Sequence, residues 1–381
     1  MRFEFLTLIA VTIILVAATF VEKFTGSAAM IYGSWWFAAI WGVIAVSGLC
    51  YCVRRRLMRR PAAMLLHVAF GVMLLGALVT HIWGVQGVVH LRKGQPVSAF
   101  VTDGDQPCPF PFALTLDDFE VTYYRGTSSP RDYRSTVQVT SDREDPSGQT
   151  PRQLHISMNH IGEVQGYRLY QSSYDTDLRG TVLTVCHDPW GIGITYLGYA
   201  MLFLSMLMLL ILPRQGFRPC LRQATRCQQW WYAVVFALAC GIALWVVWRI
   251  YSKPLLPVLR SPYLGIHVGI IVVAYTLLAV IAIGGYRFRP MLYPALFCLI
   301  AGIFIGAIWA NQSWGRYWGW DSKEVWALIT MLIYSLPMHS QSIRWMAHPR
   351  HFHLYCAVAF LSVLMTYFGV NYFLTGLHSY A

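Results

Sequence analysis

Five of the fifteen tryptophans fall within residues 309–326, a stretch that we call the tryptophan loop. Trp314 and Trp318 are four residues apart, so they would share a face if the stretch were helical, with Tyr317 beside them. Tryptophan belts at membrane interfaces are common, and for an ordinary pair of indoles that would be the first explanation. This denser pattern instead predicts a broad, flat apolar surface for a flat apolar ligand.

Charged residues accompany these indoles. A porphyrin is a flat apolar disc with two carboxylates at one edge, so it suits an aromatic surface with a cation nearby. Arg316 and Lys323 are candidate partners for those carboxylates. Asp321 followed by Glu324 also matches a helix N-cap with its capping-box acid, so a structural role for Asp321 competes with a chemical one.

Two histidines are predicted at the same depth near the cytoplasmic side. Haem iron usually takes histidine nitrogen, and an intramembrane histidine is costly enough to suggest a function. His67 lies seven residues after Arg60, and His339 lies five before Arg344. At about 1.5 Å per residue, both imidazoles should lie roughly 7–10 Å from the cytoplasmic ends of their helices. We call them the inner histidines.

A second pair brackets the tryptophan loop on the outer side. His267 follows Pro262 by five residues on a helix that starts outside, and His378 follows the last span. Two pairs at two depths predict a receiving site inside and a delivery site outside. Any one of these histidines alone would more often be a hydrogen-bonded packing residue, and His81 is the best alternative ligand.

Composition places these residues in a membrane protein. Of the 381 residues, 56% are hydrophobic and 12% are charged. Thirteen of the seventeen acids lie between Asp103 and Asp188, so one soluble insert interrupts a nearly acid-free body. The net charge of +12 comes from short basic clusters between apolar runs, which fits loop topology and not nucleic-acid binding.

The predicted fold is an α-helical polytopic membrane protein with about nine transmembrane helices, since a span needs about 20 apolar residues. Basic residues in every second loop put the N-terminus in the cytoplasm and the C-terminus and insert outside, although loop 249–260 breaks this pattern. The first stretch could be a cleaved signal peptide, but we expect a retained anchor. The predicted spans are 4–21, 35–53, 62–83, 191–212, 231–249, 263–284, 291–309, 324–340 and 353–372.

The insert is predicted to be a small extracytoplasmic β domain. Its strands are rich in alternating or β-branched residues and are separated by polar turns. Cys108 and Cys186 lie in it and could form a disulfide, although sequence does not fix their geometry. The expected strands are 112–124, 135–140, 153–158, 167–171 and 181–186.

Three glycines follow the insert and do not form a nucleotide-binding motif. Gly191, Gly193 and Gly198 do not match GxGxxG, so we expect helix-packing glycines. The chain is thus divided into an N-terminal region of three spans, the β domain, a fourth span with a cytoplasmic loop, and a C-terminal transmembrane domain. These cover residues 1–83, 84–190, 191–229 and 230–381.

The tryptophan loop carries a recognisable motif. Residues 314–321, W-G-R-Y-W-G-W-D, resemble the W-G-x-x-W-x-W-D signature of WWD haem-handling proteins. The C-terminal region resembles the CcsA (ResC) family through I-H-V around His267, D-S-K-E-V-W-A-L from Asp321, and the ending around His378.

The N-terminal region resembles the start of the CcsB (ResB) family. The resemblance rests on S-W-W-F from Ser34, the basic turn at 54–60, and L-H-V around His67. The chain is therefore similar to a fused CcsBA, the System II cytochrome c synthase. Two features depart from that family: the insert is short, and the sequence ends in Ala381 where relatives tend to have glycine.

The resemblance implies haem b as bound substrate, with no catalytic residue beyond those that position it. The implied external iron ligands are His267 and His378, and the implied transmembrane ligands are His67 and His339. Implied partners are the CxxCH segment of apocytochrome c, a thioredoxin-like thiol reductant and membrane lipid, in a bacterial inner membrane. The alternative is a haem delivery protein of the CcmC or CcmF type without ligation activity. Further haem contacts would come from Trp314, Arg316, Tyr317, Trp318, Trp320, Asp321 and Lys323.

Overall fold

The computed structural model describes residues 3–25, 29–141, 152–214, 216–222, 224–339 and 343–374. His378 lies outside the described residues, so the structure does not test its predicted pairing with His267. The described chain has helices before and after a single antiparallel sheet. This arrangement is that of a polytopic membrane protein with a β domain.

Four helices precede the sheet. Ser34 caps α3 by accepting a hydrogen bond from Phe37 N, and Pro61 occupies the first turn of α4, where its missing N–H costs nothing. The basic turn 54–60 separates these two helices. The bounds are α1 Phe3–Thr25, α2 Ala29–Tyr32, α3 Trp35–Arg54 and α4 Pro61–Trp83.

The β domain is one eight-stranded sheet with the order β5-β4-β3-β2-β1-β8-β7-β6. Alternate residues of β3, such as Phe112, Leu114 and Leu116, are fully buried, which is the period of two that strands require. The five predicted strands are present as β3, β4, β5, β7 and β8. The strand bounds are β1 Val85–Arg92, β2 Pro96–Thr102, β3 Pro107–Tyr123, β4 Pro130–Ser141, β5 Arg152–Ser157, β6 Gly162–Val164, β7 Tyr167–Tyr174 and β8 Gly180–His187.

The remaining helices follow the sheet. The longest begins with a capping box, in which Thr225 and Gln228 satisfy each other's backbone N–H groups. A turn of π-helix, Met365–Gly369, joins the last two helices. The bounds are α5 Gly191–Ile211, α6 Phe217–Arg222, α7 Arg226–Tyr251, α8 Pro262–Gly284, α9 Leu292–Trp314, α10 Ser322–Ser335, α11 Pro349–Leu364 and α12 Val370–Phe373.

Seven stretches of the described chain are long and apolar enough to span a membrane. One of them, Pro262–Trp314, contains both α8 and α9. The span expected at 324–340 corresponds to α10, which has only 14 residues and is continued by the 3-10 turn Leu336–His339. The number nine is therefore not confirmed.

Helices α4 and α5, which flank the sheet in sequence, pack closely along their length. A methyl group added at Gly198 would lie 2.5 Å from Met73 Cγ, and one at Gly191 would collide with Thr80. These two glycines therefore allow close helix packing, as predicted. Gly193 faces open space, so the prediction was wrong for that residue.

Candidate functional site

A large cavity runs between the N-terminal and C-terminal helices. Its volume is about 1170 Å³, above the roughly 300–1,000 Å³ of typical small-molecule pockets. His67 and His339 line one end, and His81, Arg316 and residues of the β domain line the other. His67 and His81 are on the same helix, so about 1.5 Å per residue makes the cavity roughly 20 Å long.

The inner histidines contact each other across the cavity. Their ring centroids are 6.1 Å apart and their planes are nearly perpendicular, at 89°. His67 Nδ1 lies 2.7 Å from Ala63 O, and His339 Nδ1 lies 2.9 Å from Ser335 O. An Nδ1–H bonded to a carbonyl leaves Nε2 unprotonated, which is the form that binds a metal.

This spacing suits one metal shared by two imidazoles. Metal–nitrogen bonds of about 2 Å on opposite sides of an ion would put the ring centroids roughly 6 Å apart. Tyr51 contacts both imidazoles, with its ring centroid 6.1 Å from that of His67 and 5.6 Å from that of His339. Phe5 contacts His339 from α1 at 5.7 Å. The surroundings are thus aromatic, and the shared depth expected for the two histidines agrees with their contact.

His267 occupies a separate place on the far face of α9. Its Nδ1 lies 2.7 Å from Gly302 O, and Gly306 leaves room for its ring, since an added Cβ there would lie 2.7 Å from Nδ1. His267 is not among the residues that line the cavity, whereas His81 is. Its role as an outer haem ligand stays a prediction.

The tryptophan loop is not a continuous helix. Helix α9 ends at Trp314, because Gly315 takes the left-handed conformation with φ +82°, and α10 begins only at Ser322. Trp314 packs edge-on against Trp309, at 5.0 Å, while Trp318 packs against Trp320 at 5.8 Å. A shared helical face for Trp314 and Trp318 is therefore excluded.

An aromatic cluster forms instead between Trp318, Trp320 and three residues near the start of the chain. Tyr32 stacks on Trp320 at 4.8 Å and 11°, and Phe37 meets the same indole edge-on at 5.0 Å. Trp41 is 6.3 Å from it. Trp320 has a positive φ of 56°, a strained conformation for a non-glycine residue. All five aromatic residues line the cavity.

The cluster contains buried donors that suit a polar ligand group. Tyr32 Oη, Trp41 Nε1 and Trp318 Nε1 are buried and have no hydrogen-bond partner within the described part of the chain. Buried donors are normally satisfied, so three around one cavity suggest that a ligand completes them. The sequence did not predict that Tyr32, Phe37 and Trp41 belong to this cluster, because only the fold brings them to Trp320.

Asp321 acts as the N-cap of α10. Its Oδ1 accepts a hydrogen bond from Lys323 N at 2.9 Å, and its side chain is buried. Glu324 accepts from Gly319 N at 2.8 Å and so ties the loop to the helix. Lys323 Nζ donates to Asn371 Oδ1 at 2.9 Å. The predicted N-cap is confirmed, and Lys323 does not line the cavity.

Arg316 and Tyr317 join the loop to the rest of the protein. Arg316 Nη2 lies 2.5 Å from Asp103 Oδ2 in an ion pair whose side chains are 39% and 57% exposed. Tyr317 donates to Thr80 Oγ1 at 3.0 Å, and Thr80 donates to Asp188 Oδ2 at 2.6 Å. The β domain and α4 therefore hold the loop over the outer end of the cavity.

Cys186 lies under the loop as a buried, unpaired thiol. A Cβ at Gly315 would lie 2.5 Å from its Sγ, so glycine permits this contact. Burial raises the pKa of Cys186 to about 11, although Arg168 and Arg316 act in the opposite direction. Cys108 is also unpaired, so the possible disulfide between these two residues is absent.

Two family models match different parts of the chain. Residues 54–187 match the ResB-like family, and residues 286–378 match the cytochrome c assembly protein family. The first match covers α4 and most of the β domain. The second covers α9, the tryptophan loop and the helices after it.

Curated relatives match over parts of their own length. Protein NrfI of Wolinella succinogenes is 28% identical over 304 residues, covering 53% of this chain and 33% of NrfI. The cytochrome c biogenesis protein CcsA of Gloeobacter violaceus is 44% identical over 95 residues, covering 25% of this chain and 27% of that protein. CcsA of Chlamydomonas reinhardtii is 32% identical over 158 residues, covering 34% and 43%. This chain therefore spans between about a quarter and under half of these three relatives.

Proposed function

Because the chain joins a ResB-like region to a cytochrome c assembly protein region in that order, we propose that it serves cytochrome c maturation. In this proposal it carries haem b as substrate to the outer membrane face and attaches it to apocytochrome c. The order of the two regions is that of a CcsBA-type fusion. Its relatives NrfI and CcsA support the same assignment.

The contact between the inner histidines is the observation that carries the proposal. Two imidazoles, one on α4 and one in the 3-10 turn after α10, meet at one end of an apolar cavity, each with Nδ1 on a backbone carbonyl. A histidine pair prepared in this way can fill both axial positions of haem iron, which protects the iron from oxygen chemistry. The cavity extends from that pair to the aromatic cluster, so it offers space for haem at both depths.

Attachment itself requires positioning and little else from the protein. Each cysteine thiol of the CxxCH segment adds across one vinyl group: sulfur bonds to one vinyl carbon and hydrogen goes to the other. The addition is redox-neutral and has no leaving group. The proposed part of this chain is to hold the vinyl edge toward the outside, with His267 and His378 as outer ligands.

Orientation and partners follow from this scheme. The basic turn 54–60 would face the cytoplasm of a bacterium, and the β domain would face the outside of its inner membrane. A thioredoxin-like reductant would keep the apocytochrome thiols reduced, since a disulfide cannot add to a vinyl group. Membrane lipid surrounds the helices.

Coexpression tests attachment directly. The chain is produced with an apocytochrome c in cells that lack all other maturation genes, and covalent haem is measured by haem staining of denatured protein. We expect staining with the unaltered chain and its loss with His67→Ala or His339→Ala. His155→Ala, an exposed histidine of the β domain, is the matched control.

Two results would count against the proposal. Absence of covalent haem, with haem still bound to the purified protein, would favour a delivery protein of the CcmC or CcmF type. Purified protein without any histidine-dependent Soret band, from haem-replete cells, would exclude haem handling altogether.

A further inference from the structure

We propose that Arg168 of the β domain binds a propionate carboxylate of haem at the outer end of the cavity. The inference rests on the proposed function and adds to it a residue that recognises the polar edge of the substrate. Arg168 lies on β7 and lines the cavity together with Arg316 and Trp318. It belongs to the sheet, which the sequence does not connect with haem.

The guanidinium of Arg168 is incompletely paired. Its Nη2 is buried and has no hydrogen-bond partner among the residues that the structure describes. Its Nη1 lies 3.5 Å from Asn311 Oδ1, which is a long contact. Glu163 is its cross-strand neighbour on β6, but Arg168 forms no ion pair within the described part of the chain. A buried donor nitrogen without a partner is unfavourable, so an incoming anion that accepts its hydrogen bond would complete the site.

Asn311 fixes the orientation of this cation. Its side chain is only 4% exposed, and its Nδ2 donates to Tyr196 Oη at 2.6 Å. The amide oxygen is therefore the group turned toward Arg168. Because Tyr196 and Asn311 belong to two packed helices, α5 and α9, the acceptor that faces the guanidinium is held in place before any ligand arrives.

The cations predicted from the sequence have other partners. Arg316 is paired with Asp103 at the surface, and Lys323 donates to Asn371. A planar guanidinium matches a carboxylate with two parallel hydrogen bonds, whereas an exposed ion pair contributes little. Of these three cations, Arg168 is the half-buried one with a buried guanidinium nitrogen whose hydrogen-bonding capacity is left for a ligand.

The position of Arg168 defines which haem it binds. The cavity is roughly 20 Å long by the rise of α4, and the inner histidines lie at the opposite end. Arg168 therefore acts on haem that has reached the aromatic cluster, and it orients the carboxylates toward the β domain.

A comparison of two porphyrins isolates the carboxylate contact. The full chain is purified in lipid nanodiscs, and binding of haem and of its dimethyl ester is followed by absorption titration. All forms carry His67→Ala, which removes an inner ligand. We compare this background with Arg168→Gln, Arg168→Lys and, as matched control, Arg179→Gln, which alters an exposed arginine in the turn between β7 and β8.

We expect the background protein and the Arg179→Gln form to bind haem about 10- to 100-fold more tightly than the diester, as for loss of one charged hydrogen bond. Arg168→Gln should lose that preference while binding the diester normally, and Arg168→Lys should keep part of it. Unchanged diester binding shows that the variant is folded.

Three outcomes would overturn the inference. The preference for the diacid could persist in Arg168→Gln, both porphyrins could weaken equally, or the background protein could bind neither. None of these decides the proposed function, which the coexpression test judges by histidine-dependent attachment. If the Arg168→Gln chain attaches haem normally and keeps its preference for the diacid, the proposed function stands and the inference about Arg168 fails.

Discussion

Substitution of Gly306 by alanine tests how His267 is held without altering the histidine itself. The new Cβ would lie 2.7 Å from His267 Nδ1, whereas ordinary contacts of a Cβ begin near 3.4 Å. The ring must therefore move away from α9 by about 0.7 Å, the difference between these distances. Its 2.7 Å hydrogen bond to Gly302 O would lengthen beyond the roughly 3.2 Å limit of such bonds.

The expected loss has two parts. A broken hydrogen bond costs about 1 kcal/mol, and loss of the partner that orients a metal-binding histidine typically costs about 10- to 100-fold in metal affinity. If His267 is an outer ligand, Gly306→Ala should lower haem attachment by that factor. The inner histidines are on other helices, so their haem spectrum should not change.

The assay is covalent haem yield in the coexpression system, together with the absorption spectrum of the purified protein. Gly241→Ala is the matched control, because Gly241 lies in a helix and an added Cβ there meets nothing within 4 Å. Equal yields from Gly306→Ala and Gly241→Ala, at equal protein levels, would refute the argument that the Gly302 carbonyl orients His267 for ligation.

Three further predictions concern stability and reactivity. Gly198→Leu should lower the free energy of unfolding by about 1–3 kcal/mol through overpacking, and the protein should therefore melt at a lower temperature in detergent. Gly193→Leu should leave the melting temperature unchanged, because Gly193 faces open space. Equal melting temperatures for the two variants would contradict the α4/α5 packing. Asp103→Asn should change the free energy of unfolding by less than about 1 kcal/mol, since its ion pair with Arg316 is exposed, and a larger loss in a denaturant titration would show that the pair stabilises the loop. Cys186 should resist thiol reagents near pH 8 and react as the pH approaches its pKa of about 11. Because folding raises this pKa, the protonated thiol contributes fully to the stability of the fold below the ordinary thiol pKa, and this contribution is lost as pH rises toward 11. Fast labelling of the folded protein at pH 8 would contradict the prediction.

Features that depend on position along one element were accessible from the sequence. The depths of His67 and His339 follow from residue counts along helices, and their ring contact agrees with that reckoning. The N-cap at Asp321 follows from local chemistry between neighbours in the chain. Five strands were visible because alternation is also local, whereas β1, β2 and the three-residue β6 were not predicted.

Features that depend on the fold were not accessible. The helical face expected for Trp314 and Trp318 failed because Gly315 ends α9 and redirects the chain. Sequence gives no measure of what will stand opposite Trp320, so the stacking of Tyr32 was not predicted. Arg168 was overlooked for the same reason, since a lone arginine in a strand carries no pattern of its own.

The inner histidines lie on α4 and in the turn after α10, with most of the chain between them. At roughly 5–20 residues per second, a ribosome needs on the order of 15–50 s to pass from the first to the second. During that time a nascent chain has only the first imidazole of this pair, so the inner site cannot form until His339 has been added. The contact between the inner histidines is therefore a property of the chain that extends to His339, and N-terminal fragments of it cannot form that contact.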